Sequence, residues 1–210
     1  MPELPDPVDA QNRIIVEDDA GFVTRCRQGD TEAFAQLVRR HQKKMLNIAY
    51  RMIGDYDEAC DVVQEAFLSA FRAIKKFRGN ARFSTWLCTI VLNHSRTHLK
   101  QRAARSHREG TSLNDSFILE NGNISSEHCS QEESVVERIE KRELEAKIQE
   151  CIGSLESEQR EVLVLRDMQG FSYKEIGLTL KLPQGTVRSR LFRARNAMKD
   201  SLLKKLGDLK

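Results

Sequence analysis

Apolar residues recur at intervals of three and four along most of this chain, which is the spacing of one face of an α-helix. One such block begins near residue 30 and ends near residue 99, and a second runs from residue 135 to about residue 202. No strand-like alternation of useful length occurs anywhere in the sequence. The fold class is therefore all-α, and the two blocks predict two small helical domains.

The stretch between the two blocks has no periodicity. Ser, Asn, Gly and Glu dominate it, so it could not bury a core, and we expect a flexible linker. The first residues have neither a basic start nor an apolar stretch and predict a short flexible tail. The expected division is a tail at 1–20, a first domain at 21–105, an acidic and polar linker at 106–133 and a second domain at 134–206.

Charge is unevenly distributed, although the formal net charge is only +3. Residues 93–108 contain five Lys and Arg and no acidic residue, and residues 172–210 contain ten basic residues against three acidic ones. The intervening 109–161 contains fourteen acidic residues against five basic ones. Two basic blocks separated by an acidic one predict two separate contacts with nucleic acid.

The five cysteines lie at least 22 residues apart and include no CxxC pair. An odd number of widely spaced cysteines predicts free thiols in a reducing compartment. No apolar run approaches the roughly 20 residues that cross a bilayer. We therefore expect a soluble, cytoplasmic protein without membrane insertion.

Local signals divide the first domain into three helices. One helix is expected from Asp30 to a stop at Gly54, and whether it is interrupted near His41 stays open. The next is amphipathic, with an acidic flank, and Ser84 is the expected N-cap of the third. The apolar face of the second helix consists of Ala59, Val62, Val63, Ala66, Phe67, Ala70, Phe71 and Ile74.

The second domain ends in a pattern that predicts a helix-turn-helix. Gly170 suits a left-handed helix end, and Ser172 with Glu175 forms an S-x-x-E capping box. The short helix that follows contains Gly177, which would allow a close approach by another helix. Pro183 then suits the opening of the last helix.

The last helix has two different faces. The major groove admits one helix, and Arg can bond two acceptors on a guanine edge, so its basic face suits DNA. On this face Phe192 could contact a thymine methyl group. The alternative to DNA binding is a solvated basic helix in an ordinary bundle. The apolar stripe is Val187, Leu191, Ala194, Met198 and Leu202, and the other face is Arg188, Ser189, Phe192, Arg193, Arg195 and Asn196.

Several motifs, taken in order, make the chain resemble a bacterial RNA polymerase sigma factor of the extracytoplasmic-function (ECF) group of the sigma-70 family. The resemblance covers about residues 20–206. Its motifs are Gly29-Asp30-x-x-Ala33-Phe34, Asp61-Val62-Val63-Gln64-Glu65-Ala66-Phe67, Phe77-Arg78-Gly79, Phe83-x-Thr85-Trp86-Leu87, Ser172-Tyr173-x-Glu175-Ile176 and Gly185-Thr186-Val187-Arg188-Ser189-Arg190-Leu191.

The resemblance implies that the first domain docks on core RNA polymerase, at the clamp helices of the largest subunit. The expected docking residues are Asp61, Gln64, Glu65 and Phe67, and the alternative is a helix whose polar side is merely solvated. A further contact is expected with the flap region of the polymerase. An anti-sigma factor is expected to hold the protein inactive by covering the polymerase-binding and DNA-binding faces.

The resemblance also implies two contacts with promoter DNA. The minus 10 element would be melted and bound by Arg78, Asn80, Arg82, Asn93, Arg96, Thr97 and Lys100. The minus 35 element would be bound by Arg188, Ser189, Phe192 and Arg193. Relatives often have a second asparagine where this chain has Thr97, so a minus 10 sequence different from theirs is expected. We expect Trp86 to pack in the core rather than to stack on a base.

Other functions are weaker hypotheses. The sequence lacks the motifs of an enzyme, and no cofactor is expected. His94 and His98 stand four residues apart, but two histidines without a matching carboxylate or thiolate make a weak metal site, so no metal is expected. The remaining alternative is a helix-turn-helix regulator that binds duplex DNA without polymerase.

Overall fold

The computed structural model describes residues 16–108 and 135–207, with side chains within 19–106 and 141–205. The described residues are helical and contain no strand, which confirms the all-α prediction. Most of the predicted tail and linker lies outside these ranges. The helices are α1 (Val16–Arg27), α2 (Thr31–Ile53), α3 (Tyr56–Ala73), α4 (Phe83–Arg108), α5 (Val135–Ser154), α6 (Ser157–Leu163), α7 (Tyr173–Leu180) and α8 (Gln184–Gly207).

Local caps set the boundaries of α2 and α3 in the first domain. The Asp30 carboxylate accepts a hydrogen bond of 3.0 Å from the backbone N–H of Ala33, and Asp55 accepts one of 2.9 Å from Glu58. Gly54 ends α2 in the left-handed conformation at φ +88°, as its sequence position predicts. The apolar stripes of α2, α3 and α4 then meet in one core, with Leu37, Met45, Ile48, Ala66, Leu87 and Val91 fully buried.

Helix α2 runs unbroken through His41, the position at which the sequence left an interruption open. His41 is only 5% exposed, and its Nε2 lies 2.9 Å from Oδ2 of Asp19 on α1, which is also buried. A polar ring can be buried inside an unbroken helix when it finds such a partner. The same contact attaches α1, which begins at Val16 within the segment predicted as a tail.

Helix α4 begins at Phe83, so Ser84 lies in its first turn and is not the N-cap that the sequence predicted. The backbone N–H of Trp86 donates to the carbonyl of Arg82 at 3.1 Å, which starts the helical ladder before Ser84. Phe83 is buried against Phe77 and Trp86, with ring centroids 6.1 and 5.7 Å away. Packing of this aromatic cluster fixes where the helix begins, and it places the partly buried Trp86 against the core, as expected.

The helix-turn-helix of the second domain forms as predicted. Between α6 and α7 the chain makes a π-helical turn at Val164–Met168, and Gly170 has φ +70°. The capping box is complete, since Ser172 and Glu175 bond each other's backbone N–H. A Cβ on Gly177 would lie 2.8 Å from the carbonyl oxygen of Leu182, so it is the turn before α8 that requires glycine there.

The two domains pack against each other. Helices α5 and α6 lie against α2, and α7 lies against α4.

Pro183 immediately precedes α8, and its carbonyl accepts the first helical hydrogen bond, from Val187 at 3.1 Å. Among the helices in the described part of the chain, none is both long and apolar enough to span a bilayer.

Candidate nucleic-acid interface

Helix α8 presents the basic face that the sequence predicted. Val187, Leu191 and Ala194 are buried on its inner side. The outer face contains the four predicted minus 35 residues, all of them exposed: Arg188, Ser189, Phe192 and Arg193. Phe192 is 67% exposed, the largest such fraction among the described large apolar side chains.

Cation-π contacts and an ion pair position α8 on the rest of the second domain. The Tyr173 ring contacts two guanidinium groups, at 4.8 Å from Arg166 and 5.6 Å from Arg188. Asp167 accepts two hydrogen bonds from Arg195, at 2.9 and 2.6 Å, and this bidentate pair raises the pKa of Arg195. The basic face is therefore held in place by groups on the π-helical turn and on α7.

The outer side of α3 is a surface of acidic and apolar side chains. Asp61, Gln64 and Glu65 are exposed, as expected for a docking surface. Phe67, which the sequence assigned to the same surface, is only 8% exposed and belongs to the core. The apolar part of this surface is instead supplied by Leu68 and Phe71, which are 45% and 43% exposed.

Helical spacing could have identified Leu68 and Phe71 from the sequence. They follow Gln64 by four and seven positions, which places all three on one side of α3. The apolar periodicity assigned Phe71 to the core, and its ring does meet Phe34 edge-on at a centroid distance of 5.0 Å. Its remaining surface faces solvent beside Leu68. We call Asp61, Gln64, Glu65, Leu68 and Phe71 the α3 surface.

The loop between the 3₁₀ turn at Ile74–Lys76 and α4 exposes two of its three predicted minus 10 residues. Arg78 and Asn80 extend into solvent on either side of Gly79, whose φ of +74° sets the turn. Arg82 is less exposed and forms an ion pair. Its Nη1 lies 3.2 Å from Oε1 of Glu175, in the second domain.

Helix α4 supplies the other four predicted minus 10 residues. Asn93, Thr97 and Lys100 are exposed, and the Thr97 hydroxyl donates to the carbonyl of Asn93 at 2.9 Å. Arg96 instead forms a bidentate pair with Glu161 of α6, at 2.6 and 2.7 Å. Hydrogen bonding to Glu161 raises the pKa of Arg96, so the guanidinium is firmly charged and paired across the domains.

A cleft of about 870 Å³ lies beside this pair. Its lining includes five cationic residues, with Arg96, Lys100 and Arg102 from α4 on one side and Arg160 and Arg190 from the second domain on the other. Glu158 and Glu161 are the acidic residues among its lining. Nothing in the sequence indicated that the two basic blocks would face each other here.

The two histidines considered as metal ligands are both directed toward α3. His94 Nε2 lies 3.0 Å from the Ser69 hydroxyl, and His98 Nε2 lies 3.1 Å from Oε2 of Glu58. Within the described residues, no cluster of three His, Cys, Asp or Glu side chains is arranged to hold a metal ion.

Comparison with known proteins identifies two family matches. Residues 37–105 match Sigma-70 region 2, and residues 145–198 match Sigma-70, region 4. The RNA polymerase sigma-H factor of Pseudomonas aeruginosa is 37% identical over 186 residues, which is 89% of this chain and 94% of that protein. The ECF RNA polymerase sigma-E factor of Escherichia coli (strain K12) is 36% identical over 180 residues, covering 86% of this chain and 92% of that protein.

Solved structures are similar along most of the chain. The structure of CnrH in complex with the cytosolic domain of CnrY has a TM-score of 0.63 at 28% identity, and the match covers 88% of this chain and 97% of that one. The sigma factor RpoE of Bartonella quintana, solved with the anti-sigma factor NepR, has a TM-score of 0.63 at 21% identity, covering 80% and 96%. The latter likeness is one of fold.

Proposed function

The chain belongs to the ECF group of sigma-70 RNA polymerase sigma factors, and from this premise we propose how its surfaces are used to start transcription. The α3 surface binds core RNA polymerase at the clamp helices of the largest subunit. The loop before α4, together with α4, binds melted minus 10 DNA, and α8 binds the minus 35 element. The protein acts in the cytoplasm, where core polymerase is, and catalyses no reaction itself.

The α3 surface is the observation that supports this proposal most directly. It places two exposed apolar side chains, Leu68 and Phe71, beside the carboxylates of Asp61 and Glu65. Exposing the apolar part of such a patch to water costs free energy, and the patch suits a protein partner that offers apolar and basic groups. The alternative of a helix-turn-helix regulator working without polymerase is not supported by the relatives, which are named as sigma factors.

The two DNA contacts differ in chemistry. Exposed Arg188 and Arg193 on α8 flank Phe192, which suits duplex DNA: guanine edges for the arginines and a thymine methyl for the ring. On α4, Asn93 offers an amide that can bond the edge of an extruded base. Lys100, on the same helix, reaches the phosphate backbone and makes binding dependent on salt.

An anti-sigma factor is part of the proposal. CnrH, which resembles this chain along most of its length, was solved with a cytosolic partner domain, and the RpoE of similar fold was solved with an anti-sigma factor. A partner of this kind would cover the α3 surface or the DNA-binding faces. A further contact of the second domain with the flap region of polymerase completes the set of proposed partners.

The test is reconstitution with bacterial core RNA polymerase. We expect the purified chain to co-elute with core in size exclusion and to start transcription from a shared pair of elements in a promoter library. Failure to bind core, together with tight binding to duplex DNA alone, would overturn the proposal.

A variant pair locates the docking surface. Leu68→Ala should weaken core binding about tenfold, because truncating an apolar contact at an interface costs on the order of 1–2 kcal/mol. Leu203→Ala is the matched control, since Leu203 is 59% exposed on α8 and lies outside the α3 surface. Equal affinities of the two variants for core would contradict the assignment of Leu68.

A further inference from the structure

The two domains are joined by contacts that use the same arginines we assign to promoter DNA. Arg96 makes its bidentate pair with Glu161, whose side chain is only 5% exposed, and Arg82 pairs with Glu175. In each pair the first domain supplies the cation and the second the carboxylate. A carboxylate offers a guanidinium the same two-oxygen geometry that a DNA phosphate does.

Glu175 shows how completely these carboxylates are engaged. Its Oε2 accepts hydrogen bonds from the backbone N–H and the hydroxyl of Ser172, at 2.9 and 2.8 Å, in the capping box of α7. Its other oxygen, Oε1, accepts the hydrogen bond from Nη1 of Arg82. The helix-turn-helix thus presents a prepositioned anion to the loop before α4.

A second set of contacts joins the domains through the C-terminal end of α2. The last carbonyls of a helix lack partners within it. Here the carbonyl of Tyr50 accepts from the backbone N–H of Gly54 at 2.8 Å. The Gln149 amide of α5 lies 3.3 Å from that carbonyl and 3.4 Å from the carbonyl of Arg51. Arg160 of α6 donates to the carbonyl of Met52 at 2.7 Å. The second domain therefore caps a helix of the first.

Side chains complete this polar interface. Gln149 also accepts a hydrogen bond of 3.0 Å from the Arg51 side chain, and Gln169 donates to Asn47 at 3.0 Å. The Lys44 ammonium lies 4.4 Å from the centroid of the Phe171 ring, where burial lowers its pKa. Apolar packing accompanies these polar contacts, because the buried apolar residues of the two domains form one continuous cluster. Contacts between domains of one chain with so large a polar share are typical of interfaces that open and close.

We propose that these contacts form a clasp, in which Glu161 and Glu175 occupy Arg96 and Arg82 in place of promoter phosphates and hold the free sigma factor closed. Closure leaves the α3 surface and the outer face of α8 exposed. Core polymerase can therefore dock on the closed protein, whereas Arg82 and Arg96 become available to minus 10 DNA only when the domains separate. The DNA half of this inference rests on the proposed function of those two arginines.

The experiment compares full-length variants by small-angle X-ray scattering and by binding of a fluorescein-labelled oligothymidylate. Glu161→Gln keeps the shape of the side chain and removes its charge. Gln149→Ala loosens the same interface without changing charge. Asp167→Asn is the matched control, because Asp167 makes a bidentate pair with Arg195 inside the second domain. Circular dichroism and thermal melting check that each variant is folded.

Wild type and Asp167→Asn should scatter as compact particles, and Glu161→Gln and Gln149→Ala as more extended ones. If the open form is about a tenth of the wild-type population, full opening tightens oligothymidylate binding about tenfold. Gln149→Ala should show the same gain in affinity for the oligothymidylate. Because this substitution changes no charge, an equal gain would show that opening of the domains, and not removal of a negative charge, tightens binding.

Three results would overturn the clasp. They are an extended wild type, clasp variants no more extended than Asp167→Asn, and extended variants that bind the oligothymidylate no more tightly than that control. Holoenzyme formation and promoter-directed transcription by the wild type are scored separately. Failure there, with the scattering as expected, would count against the proposed function and leave closure of the free chain standing.

Discussion

Phe192 is exposed on a helix whose opposite face is buried at Val187, Leu191 and Ala194. Its neighbours on the outer face are arginines and a serine. Exposing a large ring to water costs free energy, and a position in the core would have removed that cost. Its place between Arg188 and Arg193 is consistent with recognition of a base or sugar in the major groove.

We expect Phe192→Ala to reduce transcription from a promoter with the preferred minus 35 element about tenfold. Losing the recognition of one base pair in a site costs on the order of 1–3 kcal/mol, and truncation removes the contact that would recognise it. Thermal stability should not fall, because the ring makes little contact with the fold. Run-off transcription is the measurement, with Leu203→Ala as the exposed control on the same helix. Loss of activity in both variants to the same degree would contradict a specific role for Phe192.

Cys88 is fully buried in the first domain, and burial raises the pKa of its thiol to about 12 from an ordinary value of 9.0. The folded state therefore keeps the proton at a pH where the unfolded chain has lost it. This contribution to stability is fully present below about pH 9 and is lost as the pH rises toward 12.

Urea unfolding near pH 8 and near pH 10 should thus show a lower free energy of unfolding at the higher pH. In Cys88→Ala the decline should be smaller, whatever the absolute stability of that variant. Alkylation followed by peptide mapping should label Cys88 only after unfolding. Ready labelling of the native protein would show that the thiol is accessible and the pKa argument wrong.

The helix-turn-helix depends on one close approach between elements. Gly177 on α7 lies under the turn into α8, where the N–H of Leu182 donates to the Gly177 carbonyl at 2.9 Å. Lys181 adopts a left-handed conformation at φ 56° to make this turn. Since the obstacle to a side chain at Gly177 is backbone, it cannot move aside at low cost.

Gly177→Ala should lower the free energy of unfolding by about 1–3 kcal/mol, despite the higher helix propensity of alanine. Gly153→Ala is the control, because Gly153 is helical and exposed, and nothing lies within 4 Å of an added Cβ. That variant should be up to about 1 kcal/mol more stable than wild type. Urea denaturation measures both, and equal effects would refute the packing argument.

For the whole molecule, the interface between the domains predicts coupled unfolding. Trp86 is the only tryptophan, and it lies in the aromatic cluster of the first domain. Its fluorescence therefore reports on that domain alone, whereas far-ultraviolet circular dichroism reports on the helices of both. In wild type the two urea transitions should coincide, as expected for a cooperative unit.

Gln149→Ala should separate the two transitions, because the second domain then loses its hydrogen bonds to the carbonyls of Tyr50 and Arg51 at the end of α2. The comparison needs only fluorescence and circular dichroism on the same samples. Transitions that are already separate in wild type would show that the domains unfold independently.

Local interactions explain what the sequence determined by itself. The spacing of apolar residues, the Asp30 and Ser172 caps, and the glycines at 54 and 170 act within a few residues, so helices and the helix-turn-helix followed from them. The exposed face of α8 followed as well, since one buried stripe fixes the opposite side of a helix. The order of the motifs was enough to identify the family.

Packing between distant segments decided the rest. Whether an apolar residue on α3 is buried depends on which helices cover it, so Phe67 entered the core and Leu68 and Phe71 remained at the surface. His41 could stay within an unbroken helix because Asp19 reached it from α1. Arg96 and Glu161 are 65 positions apart, and Arg82 and Glu175 are 93 apart. The energy of an ion pair depends on the distance between the charges in space and not on their distance along the sequence. No local pattern therefore links such residues, and only the folded chain brings their charges together.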